Sequence, residues 1–151
     1  SLDAESKEII YKDYIHIGVA VDTDRGLLVP KIEDANQKSI TDIAIELGEL
    51  SQKARAKKLS ADDLSGTTFT ISNLGGIGTT SIFPIVNHPQ VAILGIAASQ
   101  QEATWMDDTF QPRLMMPMTI GFDHRIINGA DAARFLQQIK KLLEDWFLWS
   151  L

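Results

Sequence analysis

Two polar side chains stand where apolar extended runs give way to loops, the place from which a side chain can reach into a cleft. His124 lies between Asp123 and Arg125 at the end of one such run, four residues ahead of Asn128. Ser72 closes the run Thr67-Thr-Phe-Thr-Ile-Ser72, just ahead of Leu74-Gly-Gly-Ile-Gly78. An imidazole at position 124 has the chemistry of a general base, with its tautomer fixed by a local acceptor and the Asn128 amide as a neutral polar neighbour. The plain alternative is a structural histidine with Asn128 as the N-cap of the next helix, and periodicity does not choose between the two. The chain has no cysteine, which excludes thiolate nucleophiles, disulfides and cysteine-ligated metals. His16 and His88 are too far from each other and from His124 to give the short ligand spacing of a metal motif. The glycine loop after Ser72 has neither the G-x-G-x-x-G spacing nor the lysine of a phosphate-binding loop.

The elements that must position these groups follow from hydrophobic periodicity. Ile15, Ile17, Val19 and Val21 alternate with His16, Gly18, Ala20 and Asp22, which predicts a strand with one apolar face that stops at Asp22–Gly26. Leu27–Ile32 resumes an extended run in which Pro30 must sit at an edge or a bulge. Ser39 with Asp42 opens a helix carrying Ile40, Ile43, Ala44, Leu47, Leu50 and Ala54 on one stripe, and Ser60–Asp63 starts a short second one. Val91–Ala98 is apolar on both faces, as an interior strand is. Trp105–Phe110 carries a turn between two short strands, and Arg113–Phe122 forms another extended run. Asn128 and Asp131 then begin a helix with Ala133, Leu136, Ile139, Lys140, Leu143 and Trp146 along one stripe. Strands outnumber helices without regular alternation, so the expected fold is α+β, a mixed sheet with helices packed on one side.

Length and charge narrow the function. At 151 residues the chain is one domain, 1–151, with no linker or repeat. Lys plus Arg at 14 against Asp plus Glu at 20 leaves a net charge of -6 and no basic block, which argues against nucleic acid as a partner. The longest apolar stretch, Val91–Ala98, falls well short of the ~20 residues of a membrane span, and Ser1-Leu-Asp-Ala-Glu-Ser has no export signal. No membrane is expected as a partner.

Asp123-His-Arg-Ile-Ile-Asn-Gly129 resembles the Asp-His-Arg-x-x-Asp/Asn-Gly signature of the dihydrolipoyl acyltransferases of 2-oxoacid dehydrogenase complexes, which share a fold with chloramphenicol acetyltransferase. Gly18–Pro30, Phe69-Thr-Ile-Ser-Asn-Leu-Gly75, Pro84-Ile-Val-Asn and Val91–Gly95 follow in the family's order and approximate spacing, so the resemblance covers nearly the whole chain. Asn128 and Met116-Pro-Met118 ahead of the signature make it most similar to the pyruvate-type, acetyl-transferring branch. The resemblance implies acetyl transfer between dihydrolipoamide and coenzyme A, with His124 as base, Ser72 as donor to the oxyanion, Asn128 as a neutral group in the site, and Ser72, Asn73 and Gly75 near coenzyme A. It implies that 1–151 is the C-terminal part of a longer catalytic domain, with part of the substrate channel absent. The lipoyl group is then delivered by a separate domain, since no Asp-Lys-Ala lipoylation motif is present.

The resemblance further implies homotrimers with the active site between neighbouring subunits, where His124 and Ser72 would meet across the boundary, docked into a cubic or dodecahedral core by the C-terminal Trp146–Leu151. Decarboxylase and dihydrolipoamide dehydrogenase components would bind through parts outside this chain. The implied compartment is the bacterial cytoplasm, with the mitochondrial matrix as the alternative. Two other functions stay open on sequence alone: a chloramphenicol-type O-acetyltransferase, which would share His124 and the fold, and a non-catalytic core scaffold.

Overall fold

In the computed structural model, residues 1–3 and 5–145 are described. The chain opens with a small antiparallel pair, β1 (Leu2–Asp3) and β2 (Glu8–Ile9). β3 (Ile17–Val19) enters the main sheet, and β4 (Val21–Thr23) leaves it to pair with β5 (Gly26–Leu28). The alternating run from Ile15 to Val21 is therefore not one strand. It splits at Ala20, whose N–H still reaches the Ile71 carbonyl at 2.9 Å, while Ile15 lies outside the sheet and is 47% exposed. The hairpin diverts the chain at Gly26, whose φ of 107° glycine adopts without a steric penalty. β6 (Lys31–Ile32) returns to β3 as an edge of the sheet. Pro30, with no N–H, serves there only through its carbonyl, which accepts from Val19 at 3.0 Å.

α1 (Ile40–Arg55) begins with both halves of a capping box: the Ser39 hydroxyl accepts from the Asp42 N–H at 3.1 Å, and the Asp42 carboxylate accepts from the Ser39 N–H at 3.3 Å. Such a cap is worth about 0.5–2 kcal/mol. Leu50 and Ala54 are the buried end of its stripe, and Ile40 is exposed. The same reciprocal pairing recurs between Ser60 and Asp63, but it caps only a single 3-10 turn, Asp62–Leu64.

β7 (Phe69–Asn73), β8 (Ala92–Ile96), the hairpin β9 (Gln100–Met106) and β10 (Thr109–Met115), β11 (Met118–Phe122) and α2 (Gly129–Glu144) complete the described chain. The five-stranded sheet has the order β11-β8-β7-β3-β6, with β7 parallel to β8 and β3 and both edge strands antiparallel to their neighbours. The α+β class and the mixed sheet are as the sequence pattern predicts. Arg113–Phe122 differs from expectation, since it divides at Met116–Pro117 into strands of two separate sheets. Proline cannot donate to a ladder, and Pro117 gives only its carbonyl, to the Ala97 N–H.

Residues paired in register point to the same face. Phe69 and Ile71 therefore share a face with Leu94 and Ile120, and α2 packs against β11 on that side, where Phe135 meets Phe69 edge-on at 5.7 Å. Such a pair adds about 0.5–1.5 kcal/mol beyond the area it buries. The inward face of α2 runs through buried Ala132 and half-buried Leu136 and Ile139, whereas Ala133, Lys140 and Leu143 from the expected stripe are exposed. Trp146 and the rest of the apolar tail lie outside the described residues.

The opposite face carries Thr70, Ser72, Gly95 and Gly121, and the extended segment Ile82–Pro84 lies on its glycines. A Cβ on Gly121 would stand 2.6 Å from the Pro84 carbonyl oxygen, and one on Gly95 would stand 2.7 Å from Ile82 Cγ2. Gly121→Ala is therefore expected to lower stability by about 1–3 kcal/mol through overpacking against backbone. Gly48→Ala, inside α1 with open space around it, is expected to raise stability by up to about 1 kcal/mol. Urea unfolding of the two variants beside the parent chain reads both signs. Equal midpoints for Gly121→Ala and the parent would mean that the segment yields freely.

Candidate active site

Ser72 sits one residue before the end of β7, on the glycine-lined face. Its neighbour in register is Gly95, over which Ile82 and Pro84 close, so these two side chains wall the space beside it. Among the described residues no group hydrogen-bonds the Ser72 hydroxyl, which leaves its proton available to an acceptor outside the chain. Asn73 and Gly75 serve the turn after the strand: the Asn73 Oδ1 accepts the Gly75 N–H at 2.8 Å and is occupied by that bond. A Cβ on Gly75 would meet Asn73 Oδ1 at 3.0 Å and the Ala97 carbonyl at 3.2 Å, so the close turn requires glycine.

His124 follows the other edge of the sheet. The ladder between β11 and β8 is prolonged by one rung, Asp123 N–H to the Val91 carbonyl at 2.8 Å, and then the chain folds over. The Asp123 carbonyl accepts from both Ile126 and Ile127 at 3.0 Å, closing a tight turn with His124 at its exposed side. Arg125 grips the Asp123 carboxylate through Nε, at 2.9 and 3.1 Å from its two oxygens, and Nη2 at 2.6 Å, and its own N–H donates as well at 3.0 Å. The guanidinium and then the N–H of Arg125 hold the Asp123 carboxyl down to about 2. The imidazole is tilted against the Phe122 ring at 5.5 Å and makes no hydrogen bond among the described residues.

Asn128 is the N-cap of α2. Its Oδ1 accepts from the Asp131 N–H at 3.0 Å, and its Nδ2 donates to the Asp131 carboxylate. Both ends of the amide are engaged within the first helical turn, so in the single chain it orients the helix start that follows His124. His16 is likewise committed, its Nδ1 accepting the Asp34 N–H at 3.0 Å.

The structure does not bring Ser72 and His124 together. Ser72 is level with Gly95, and Gly95 with Thr119, whereas His124 lies past the far end of β11. The run from Thr119 to His124 covers roughly 15 Å along the sheet, and two strand spacings across it add about 10 Å. One chain thus presents the two groups at separate places on the sheet. Nothing in the local pattern singles out Gln90, yet its side chain is buried between Thr67 and Thr70 directly ahead of the Val91 carbonyl. The one available signal is a polar residue standing immediately before an all-apolar strand.

The family model of the 2-oxoacid dehydrogenases acyltransferase (catalytic domain) matches residues 1–151. The chain belongs to this family. It is 52% identical over 145 residues to the dihydrolipoyllysine-residue acetyltransferase component of pyruvate dehydrogenase complex of Pseudomonas aeruginosa, a match covering 96% of this chain and 26% of that protein. The chain spans about a quarter of the length of the curated relatives it matches. Among solved acyltransferase structures it is similar to the Azotobacter vinelandii dihydrolipoamide acetyltransferase, in a study of the role of a serine, a histidine and an asparagine in the catalytic mechanism. The TM-score is 0.95 at 50% identity, over 100% of this chain and 62% of that one. It is equally similar to the cubic core of the pyruvate dehydrogenase multienzyme complex, with TM-score 0.95, 50% identity and the same coverage.

In this chain the Asp123–Arg125 fork gives a direct electrostatic test. The folded-state pKa of Asp123 is depressed, so the fork contributes in full above the ordinary carboxylate pKa of ~3.9 and fades as pH falls toward 2. An NMR titration of the Asp123 carboxyl is expected to have its midpoint near 2. In Arg125→Ala that midpoint should climb toward the free value. A midpoint near 4 in the unsubstituted chain would mean that the fork does not form.

Proposed function

We propose that the chain is the acetyl-transferring part of a pyruvate dehydrogenase complex core, moving acetyl between the thiols of dihydrolipoamide and coenzyme A. The observation that carries this reading is a spacing. Ser72, His124 and Asn128 are separated by 52 and 4 residues, the intervals that separate the serine, histidine and asparagine whose catalytic roles were examined in the Azotobacter enzyme. At 50% identity and full coverage of this chain, the same three residue types at the same intervals support the same roles.

The chemistry suits the groups. A thiol is mostly protonated near neutrality, and the exposed His124 imidazole accepts the coenzyme A thiol proton as the sulfur attacks the acetyl-dihydrolipoamide carbonyl. The carbonyl oxygen gathers negative charge, and the Ser72 hydroxyl donates to it. Collapse of the tetrahedral intermediate expels the dihydrolipoamide sulfur, which takes the proton back from His124. Asn128 holds the start of α2 and adds no charge beside the imidazole.

Since Ser72 and His124 lie at opposite ends of one sheet, the reaction requires His124 of one copy beside Ser72 of another. A closed ring of identical chains repeats that contact at every boundary, which favours a homotrimer as the unit of a larger core. The similarity to a cubic core supports cubic packing of those units. Lipoyl groups would arrive on a separate domain, and the decarboxylase and dihydrolipoamide dehydrogenase components through parts outside 1–151. The bacterial cytoplasm is the proposed compartment.

In the full-length protein, His124→Ala should cut acetyl transfer at least ~100-fold, the usual scale of a general base. Ser72→Ala should lower kcat and leave the KM for coenzyme A nearly unchanged, because its bond matures only as the oxyanion forms. Random co-assembly of the two inactive chains in equal amounts should restore about a quarter of the sites, those drawing Ser72 and His124 from different parents. Normal turnover in His124→Ala would remove the mechanism. An inactive mixture despite proven subunit exchange would remove the shared site.

A further inference from the structure

We propose that Gln90, with Thr67 and Thr70, is the positioning clamp that aims His124, an inference that rests on the catalytic reading of His124 above. The three side chains form a continuous polar chain buried at the entry of two interior strands. The Thr70 hydroxyl donates to Gln90 Oε1 at 2.7 Å, and Gln90 Nε2 donates to the Thr67 hydroxyl at 2.6 Å. Their exposures are 1% for Thr70 and 6% each for Gln90 and Thr67, so the bonds lie where an unmet polar group is costly.

The clamp's place in the ladder connects it to the imidazole. Backbone pairing of β7 with β8 begins only at Thr70 and Ile93. Gln90 lies ahead of that first pair and reaches back to Thr67, so its side chain ties the entries of the two parallel strands where main-chain pairing has not begun. The next residue, Val91, supplies the carbonyl that receives the Asp123 N–H. Among the described residues β11 is an edge strand paired in the sheet with β8 alone, and that bond is its last rung before the turn. The imidazole has no hydrogen bond of its own among the described residues, so its position is inherited from the backbone of Asp123, and that in turn from Val91.

Two roles remain to be separated, stability of the sheet and aim of the base. Gln90→Met removes the amide and leaves both threonine hydroxyls unmet. The triple variant Thr67→Val, Thr70→Val, Gln90→Met replaces the whole network with apolar groups of similar size, a change that can be nearly neutral for stability. Both are made in the full-length enzyme, with Tm, kcat and the KM for coenzyme A measured alongside a His124→Ala control. A misplaced base loses rate and not binding, so kcat in Gln90→Met should fall ~10- to 100-fold with KM within about twofold. The triple variant should recover the parent Tm and keep the low kcat. Parent kcat in Gln90→Met, or recovery of kcat together with Tm in the triple variant, overturns the clamp as a positioning device while His124→Ala stays inactive. An active His124→Ala overturns the catalytic reading and the clamp with it.

Discussion

β8 runs parallel to β7 and antiparallel to β11, and most of what this chain can do follows from that pair of directions. The strand that carries Ser72 and the strand that leads to His124 are held two places apart with their ends pointing opposite ways. No side-chain rotation closes a gap that spans much of the length of a sheet. The chain therefore holds Ser72 and His124 apart, and each has its own local construction. Ser72 is set by an interior strand and walled by a segment that lies on glycines, where even one added carbon meets backbone or side chain at contact distances no real Cβ shows. His124 is set by an edge strand, one further rung and a turn that collects two N–H groups on a single carbonyl.

The two constructions differ in what they tolerate. The Ser72 side is fixed by neighbours on both flanks and by shape, so its failures would be steric. The His124 side rests on hydrogen bonds between backbone groups, from the Val91 carbonyl to the Asp123 N–H and from the Asp123 carbonyl to the turn, with the bonded Gln90 side chain next to Val91. The Asp123–Arg125 fork stiffens that turn from outside, at the surface, where charge pairing has geometric more than energetic value. Asn128 closes the arrangement by capping α2, which packs back against β11. An exposed imidazole with no hydrogen bond among the described residues thus stands on a turn whose Asp123 N–H and carbonyl are both bonded.

How much of this was legible in the sequence depended on whether the signal was local. The Ser39–Asp42 box marked the start of α1 because both partners lie within one turn, and Val91–Ala98 marked an interior strand because both of its faces are apolar. Pro30 at an edge followed from its missing N–H. What depended on neighbours far along the chain was not legible. Ala20 separates two sheets only because β5 draws the next residues away, and the buried face of α2 runs through Ala132 and not Ala133 because the sheet below decides it. Gln90 gave almost no signal, since its partners lie 20 and 23 residues away. Ser72, His124 and Asn128 were readable as residue types in family spacing. Their meeting across two copies was implied by the resemblance alone and not by the residues, because strand direction is a property of the assembled sheet.

The joining of Ser72 and His124 across two copies is tested most directly by thiol cross-linking, for which a chain without cysteine is well suited. Ser72→Cys and His124→Cys on separate, co-assembled chains should be joined by a short bifunctional thiol reagent into a two-chain species on a denaturing gel. A chain carrying both substitutions, diluted among unsubstituted chains, should give no internal cross-link. An internal cross-link in the diluted double variant, with none between the separate chains, would place both residues in one subunit's site and contradict the account.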